Sequence, residues 1–323
     1  MINSKNIKKM DELIRSSNNI AIVAHVDPDG DSIGSIMSLR EILISKNKNI
    51  DFYVNGEIPF NYKFMKDVEK GYNSINKDEY DLLFVLDSSD IGRLGDKQHL
   101  IEISKNSICI DHHKTNEGFC DINIIESECS STGEIIFEVF KKLDYKINKI
   151  ASENIFTAII TDTGKFIYDN ADFKTFENVS ELLKNKIDKP SIIKNLYSNE
   201  PKNVFKLKSE VFNTTEFFYD DKVAISKLSL EMLDSYNLGL KDIDGLVERL
   251  RDIENVEISI LIKELGKDKY KVSMRSIGNI DVSFLCSIFN GGGHKNAAGF
   301  SIKDITYEEL KNKIIEEVSK YAI

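Results

Sequence analysis

No stretch of this 323-residue chain approaches the ~20 consecutive apolar residues that a membrane-spanning helix needs, so no membrane association is expected. The N-terminus, MINSKNIKKMDELIRSS, has lysines but neither an apolar core nor a small-residue cleavage site, and does not read as a secretory leader. The four cysteines, Cys109, Cys120, Cys129 and Cys286, form no C-x-x-C pair and read as reduced thiols, which points to the cytoplasm. Positive charge is also in deficit: 43 Lys and Arg stand against 53 Asp and Glu, a net charge of -10. Gripping long nucleic acid takes a basic stripe that neutralises phosphates, so long duplexes are disfavoured as partners. A small phosphate ester needs only a few cations or metals converging locally, and that class stays open.

What is present is an ordinary globular mix, 41% apolar and 30% charged, long enough for two cores. The first ~190 residues alternate strand and helix patterns. Strands are expected at 19–24 (NIAIVA), 51–54, 81–86 (DLLFVL) and 107–110 (SICI), and helices at 32–44, 132–140 and 151–160. Such alternation predicts an α/β fold whose mostly parallel sheet is flanked by helices, with ligands beyond the carboxyl ends of the strands. Texture changes between Pro190 and Pro201. The expected organisation is a catalytic domain over 1–190, a linker helix region over 191–217 (helix 202–216), and a smaller C-terminal α/β domain over 218–323. In the last, VAISKLS, a helix at 243–251, a hairpin of VEISILIKE and KYKVSMRS, and a helix at 282–289 lead into Gly291-Gly292-Gly293-His294 and the strand-like AAGFSI.

Polar residues gather where the predicted strands end. His25, Asp27, Asp29 and Asp31 fall within seven residues just after the first strand; Asp87 ends DLLFVL, Asp111-His112-His113 ends SICI, and Asp162 closes an apolar helical run. A tight turn explains Pro28 and Gly30, but not a histidine with alternating acids, nor the repetition at four places. Carboxylate oxygen and imidazole together suit Mn²⁺, Fe²⁺, Co²⁺ or Zn²⁺. The carboxylates of Asp29, Asp31, Asp87 and Asp162 balance two divalent cations, whereas a single cation would leave surplus buried negative charge. Of five histidines only His99, in GDKQHL, lies outside these segments, and it reads as a surface residue. Arg93 and Arg275, each inside a motif, are candidate phosphate partners beside Ser276. Gly291, Gly292 and Gly293 allow close backbone approach to an anion, with His294 as a further donor.

HVDPDGDSIGS at 25–35, LDSSDIGRLG at 86–95, DHHKTN at 111–116, TDTGKF at 161–166, KVSMRS at 271–276 and FNGGGHKNAAGF at 289–300 stand in the order seen in DHH phosphoesterases. The chain resembles that family over essentially its whole length, its C-terminal part resembling the associated DHHA1 domain. The pattern is nearest to the nanoRNase and 3'-phosphoadenosine 5'-phosphate (pAp) phosphatase subgroup. The resemblance implies two divalent ions, usually Mn²⁺: one held by His25, Asp29 and Asp87, the other by Asp31, His112 and Asp162, with Asp87 bridging. It implies that Asp87 and His113 serve catalysis, that His113 meets the scissile phosphate, and that Asp111 orients the histidines. Arg93, Arg275, Ser276 and the segment 291–294 would contact substrate in a cleft between the domains. The implied reaction is two-metal-activated hydroxide attack on short RNA, a linear dinucleotide such as pApA or pGpG, or pAp, by a homodimer. Cyclic dinucleotide cleavage, a RecJ-like single-strand exonuclease, a manganese pyrophosphatase and a non-catalytic nucleotide sensor are the alternatives.

Overall fold

β1 (Asn19–Ala24), β3 (Leu82–Leu86) and β4 (Ser107–Asp111) are almost wholly buried along their length. Strands apolar on both faces need cover on both sides, which favours a parallel sheet between helices. With β2 (Asn49–Tyr53) and β5 (Ile122–Ile125) they form an all-parallel sheet in the order β2-β1-β3-β4-β5, as the alternating pattern predicts. The structure is a computed structural model and describes residues 3–240, 243 and 245–321; the side chains of His294 and Tyr321 lie outside that description.

The strand order reverses direction between β1 and β3. Chain leaving the two strands therefore diverges and opens a crevice at their carboxyl ends. Two helices floor that crevice, α2 (Gly30–Ile44) and α4 (Lys149–Asp162), with α3 (Thr132–Lys142) against both. α2 is buried nearly all round, and its small residues permit very close packing. A Cβ on Gly30 would lie 2.2–2.6 Å from the Thr161 side chain, so only glycine lets α2 begin beside the end of α4. That contact sets Asp31, in the first turn of α2, near Asp162, the last residue of α4.

α1 (Ser4–Ser16), β5, α5 (Phe173–Lys184) and α6 (Lys189–Tyr197) were not anticipated from the sequence pattern. β5 is only four residues long, and half-buried at alternate positions, so no run announces it. α1 buries Ile7, Met10 and Ile14 on one face of an otherwise polar segment.

The chain divides into two compact units, Met1–Asn199 and Glu200–Ile323. The second begins with α7 (Lys202–Asn213), which stops short of the expected residue 216. There the chain turns into β6 (Glu216–Phe218), which pairs antiparallel with β7 (Val223–Leu228). After α8 (Leu230–Ser235) and α9 (Leu246–Arg251) come the hairpin of β8 (Ile258–Gly266) and β9 (Lys269–Ser276), α10 (Val282–Ile288), β10 (Gly292–His294), β11 (Ala297–Lys303) and α11 (Tyr307–Tyr321). The mixed sheet runs β10-β11-β9-β8-β7-β6, with only the β7–β8 pair parallel. Among the described residues no helix is long and apolar enough to cross a membrane.

Candidate metal centre

The strand ends of the first unit deliver their polar side chains to one place. His25 is the first residue beyond β1, and its Nδ1 lies 2.6 Å from the Val26 carbonyl oxygen. A proton on Nδ1 satisfies that carbonyl and leaves the lone pair on Nε2, the tautomer that metal-binding imidazoles adopt. Nε2 stands 3.3 Å from Asp87 Oδ2 and 3.6 Å from Asp29 Oδ2. Asp29 caps α2, accepting from the Ser32 amide at 2.9 Å, so one of its oxygens serves the helix and the other faces His25.

A second group surrounds His112 Nε2, with Asp31 Oδ2 at 3.8 Å, Asp87 Oδ1 at 3.7 Å and Asp162 Oδ2 at 3.7 Å. Asp87 thus offers one oxygen to each group. It sits just past β3 with φ at 52°, a left-handed conformation that Asp tolerates better than most residues but that still carries strain. Its amide is tied to the Ile110 carbonyl at 3.0 Å, so the flanking strand holds the turn in place.

These separations test whether a cation fits. At 3.7–3.8 Å the oxygens are too far from His112 Nε2 for hydrogen bonds. The spacing suits ligands that each approach one ion to about 2.0–2.2 Å. Charge points the same way. Burial and the Asp87 carboxylate push Asp31 well above the ordinary carboxylate range, and burial with Asp87 and Asp29 lifts Asp162 to about 7. Burial opposes charge on His25, yet the Asp29 and Asp87 carboxylates outweigh it and raise its pKa to about 10. The carboxylates are short of positive partners, and divalent cations between them would supply the missing charge. The residues present therefore fit metal.

The profile of the DHH family N-terminal domain matches residues 19–162, and that of the DHHA1 domain matches residues 220–322. The chain belongs to the DHH family. It is a hydrolase of the phosphoesterase class, whose members use divalent metals. It is 26% identical over 299 residues to the bifunctional oligoribonuclease and PAP phosphatase NrnA of Bacillus subtilis, covering 90% of this chain and 92% of that protein. It is 25% identical to the cyclic-di-AMP phosphodiesterase PdeA of Listeria monocytogenes across 97% of this chain, which spans 49% of that longer protein. The crystal structure of an exopolyphosphatase-related protein from Bacteroides fragilis superposes with a TM-score of 0.92 at 29% identity, covering 99% of this chain and 98% of that one.

Within the DHH triplet the three residues are placed differently. Asp111 is fully buried; its Oδ1 lies 2.7 Å from His113 Nδ1 and accepts the His112 amide at 2.9 Å. The hydrogen bond to Asp111 raises the His113 pKa against burial. His113 Nδ1 is also 3.7 Å from Asp87 Oδ1, which makes a third possible ligand group of Asp87, His112 and His113. The shorter bond to Asp111 claims that nitrogen, leaving His113 Nε2 for other partners. His99, by contrast, is exposed and pairs with Glu102.

Sequence reasoning assigned no role to several supporting residues. The amides of Thr132 and Gly133 donate to Asp31 at 2.7 and 3.0 Å, and the Thr132 hydroxyl reaches Asp87 at 3.3 Å. The start of α3 thereby fixes both carboxylates. Its signal was in the chain: Ser131-Thr132-Gly133-Glu134 has capping-box spacing before an apolar run. Asn116, buried in DHHKTN, donates from Nδ2 to Asp111 Oδ2 at 2.7 Å and to the Ser88 carbonyl at 3.0 Å. One side chain thus ties the DHH loop to the loop bearing Asp87. Asn116→Ala is expected to weaken metal affinity and kcat/KM by about 10- to 100-fold, the usual effect of losing a residue that orients ligands. Calorimetric metal titration checks this; unchanged affinity removes Asn116 from that role.

The remaining candidates lie apart from the metal groups in sequence. Arg93 is exposed, pairs with no acid among the described residues, and its carbonyl accepts the Val26 amide at 2.8 Å, beside His25. In the DHHA1 unit Arg275 already has a partner, since its Nε and Nη2 both donate to Glu248 Oε1 at 2.9 Å. Ser276 is buried and its hydroxyl donates to the Ile280 carbonyl at 2.8 Å, so it braces the turn after β9. Gly291 and Gly293 have packing reasons to be glycine. A Cβ on Gly291 would come within 2.4 Å of the Gly299 carbonyl oxygen, and Gly293 has φ at 146° with β11 backbone 2.5 Å from such a Cβ. Gly292 alone is open on its Cβ side. The His294 side chain lies outside the described residues.

Proposed function

We propose that this chain hydrolyses phosphate esters of very short ribonucleotides, linear dinucleotides or pAp with two divalent cations, Mn²⁺ first among them. The observation that carries this reading is the pair of ligand groups sharing Asp87, with three carboxylates from three elements around His112 Nε2. One cation would take His25, Asp29 and Asp87, the other Asp31, His112 and Asp162. Bound there, the metals supply Lewis-acid polarisation of the phosphoryl group and activation of water.

The chain's own groups do the rest. Asp87 shares its two oxygens and holds the groups in register. His113, braced through Nδ1 by Asp111, presents Nε2 as a hydrogen-bond donor or proton carrier at the scissile phosphate. The exposed guanidinium of Arg93 neutralises a phosphate beside His25. In the DHHA1 unit, we assign Arg275 to a second phosphate, for which it exchanges Glu248, and the open Gly292 backbone to the same end of the substrate. Ser276 contributes by keeping the Arg275 turn in shape, Gly291 and Gly293 by bringing β10 against β11, and His294 is retained as a donor on motif grounds alone. The net charge of -10 favours short substrates over long ones. A homodimer in the cytoplasm is the expected setting, and sedimentation of the purified protein tests the assembly.

Rates with Mn²⁺ on pAp, pApA, pGpG, RNA of two to five nucleotides, a 24-mer and pyrophosphate test the reading. The short substrates are expected to exceed the 24-mer by at least an order of magnitude in kcat/KM, and equal cleavage of the 24-mer would overturn it. Cyclic di-AMP is the further arm, because the Listeria relative carries that activity in its name. Cleavage of the cyclic compound alone would replace the linear-substrate reading.

A further inference from the structure

The segment that leaves α4 after Asp162 combines two features. Gly164, Lys165 and Phe166 all have φ between 54° and 66°, three consecutive left-handed residues of which two carry side chains. Such backbone is strained for a non-glycine residue, and the surroundings must hold it there. The segment also exposes large apolar groups a few residues from Asp162: Ile167 is 76% exposed and Tyr168 46%. Most exposed apolar residues among those described stand singly, whereas Ile167 and Tyr168 are adjacent.

Tyr168 has a specific placement within it. A Cβ built on Gly164 would lie 2.5 Å from both Cε2 and Cζ of the Tyr168 ring and 2.8 Å from Cε1. Near-equal distances to three neighbouring ring atoms put that point above the ring plane, not at its edge. One face of the ring therefore rests on the Gly164 backbone, and since the residue is still 46% exposed, the opposite face is largely uncovered among the described residues. Gly164 is two residues from Asp162, a separation of at most about 8 Å between Cα atoms. Asn170 ties the loop back to the end of α4 and to the chain just before α3, its Nδ2 donating to the Asp162 carbonyl at 3.2 Å and the Ser130 carbonyl at 3.1 Å. A rigid aromatic with one face packed and one face open, anchored to a phosphoester-cleaving centre, matches what a purine or pyrimidine stacks upon.

We propose that Tyr168 is the stacking platform for a nucleobase of the substrate, so that the enzyme reads the presence of a base and not only the phosphate. This rests on the nucleotide-hydrolase reading above. The test compares kcat/KM on pApA with that on two analogues, each lacking one adenine. In the wild-type enzyme loss of the stacked base lowers kcat/KM by roughly 10- to 100-fold, mostly through KM. Tyr168→Ala collapses that ratio to about 1, and Tyr168→Phe restores it. A ratio that persists in Tyr168→Ala, or a wild-type ratio near 1 for both analogues, overturns the platform while leaving the nucleotide-hydrolase reading intact. Absence of wild-type turnover on pApA and on every other nucleotide removes that reading and the platform with it. Equal metal affinity and Tm in the variants show that a lost ratio is not damage at Asp162.

Discussion

Asp87→Asn is expected to abolish hydrolysis and metal loading together, lowering kcat/KM by about 1000-fold or more. Asparagine tolerates the left-handed φ of 52° and preserves side-chain volume, so the loss reports charge and not backbone strain. The size follows from geometry: Asp87 faces His25 at 3.3 Å through one oxygen and His112 at 3.7 Å through the other, so both ligand groups lose a carboxylate at once. Asp29→Asn should be milder, because Asp29 belongs to one group only and is 55% exposed. Metal titration by calorimetry, with turnover measured in the same buffer, checks the pair. Full activity of Asp87→Asn in metal-defined buffer would sink the assignment of this centre.

In a chelator, the protein is expected to lose thermal stability as pH rises from about 5 to 8. Asp162 is lifted from its ordinary range to about 7, and Asp31 is raised well above that range, both chiefly by burial and then by neighbouring carboxylates. An acid whose folded pKa lies above its unfolded value is held protonated by the native state. Its contribution is fully present below the unfolded pKa near 4 and is lost as pH rises through the folded pKa. His25, raised to about 10, adds a loss of the same sign at higher pH, over the interval from 6.5 upward. With metal bound the slope should reverse, since binding requires deprotonated ligands and strengthens as they ionise. Saturating Mn²⁺ at 100 times its Kd stabilises by about 2.7 kcal/mol, a shift of several degrees in Tm. Scanning calorimetry across pH with and without Mn²⁺ measures both slopes. A metal-free Tm that climbs between pH 5 and 8 would show that these carboxylates are not crowded as the structure places them.

Much of this protein is legible in its sequence. The parallel sheet follows from runs such as NIAIVA and DLLFVL, which are apolar at every position because both faces are covered. The candidate ligands stand out in the sequence because each falls at the end of a predicted element, where local sequence and topology coincide. Periodicity failed where the signal was short or mostly polar, as in β5 and α1.

Other facts exist only in three dimensions, because they depend on atoms distant in sequence. That Thr132 and Gly133 hold Asp31 is a contact across about a hundred residues, and no local pattern encodes a partner so remote. That Gly30 must be glycine comes from Thr161 on another helix. That Arg275 is already bound to Glu248, and that Ser276 braces a turn instead of facing solvent, are outcomes of packing between elements. Residue types and their order along the chain determined the chemistry available here, since carboxylates and imidazoles at strand ends can do little else. Only the tertiary structure decided which oxygen faces which nitrogen, because distances between side chains are set by how helices and strands pack.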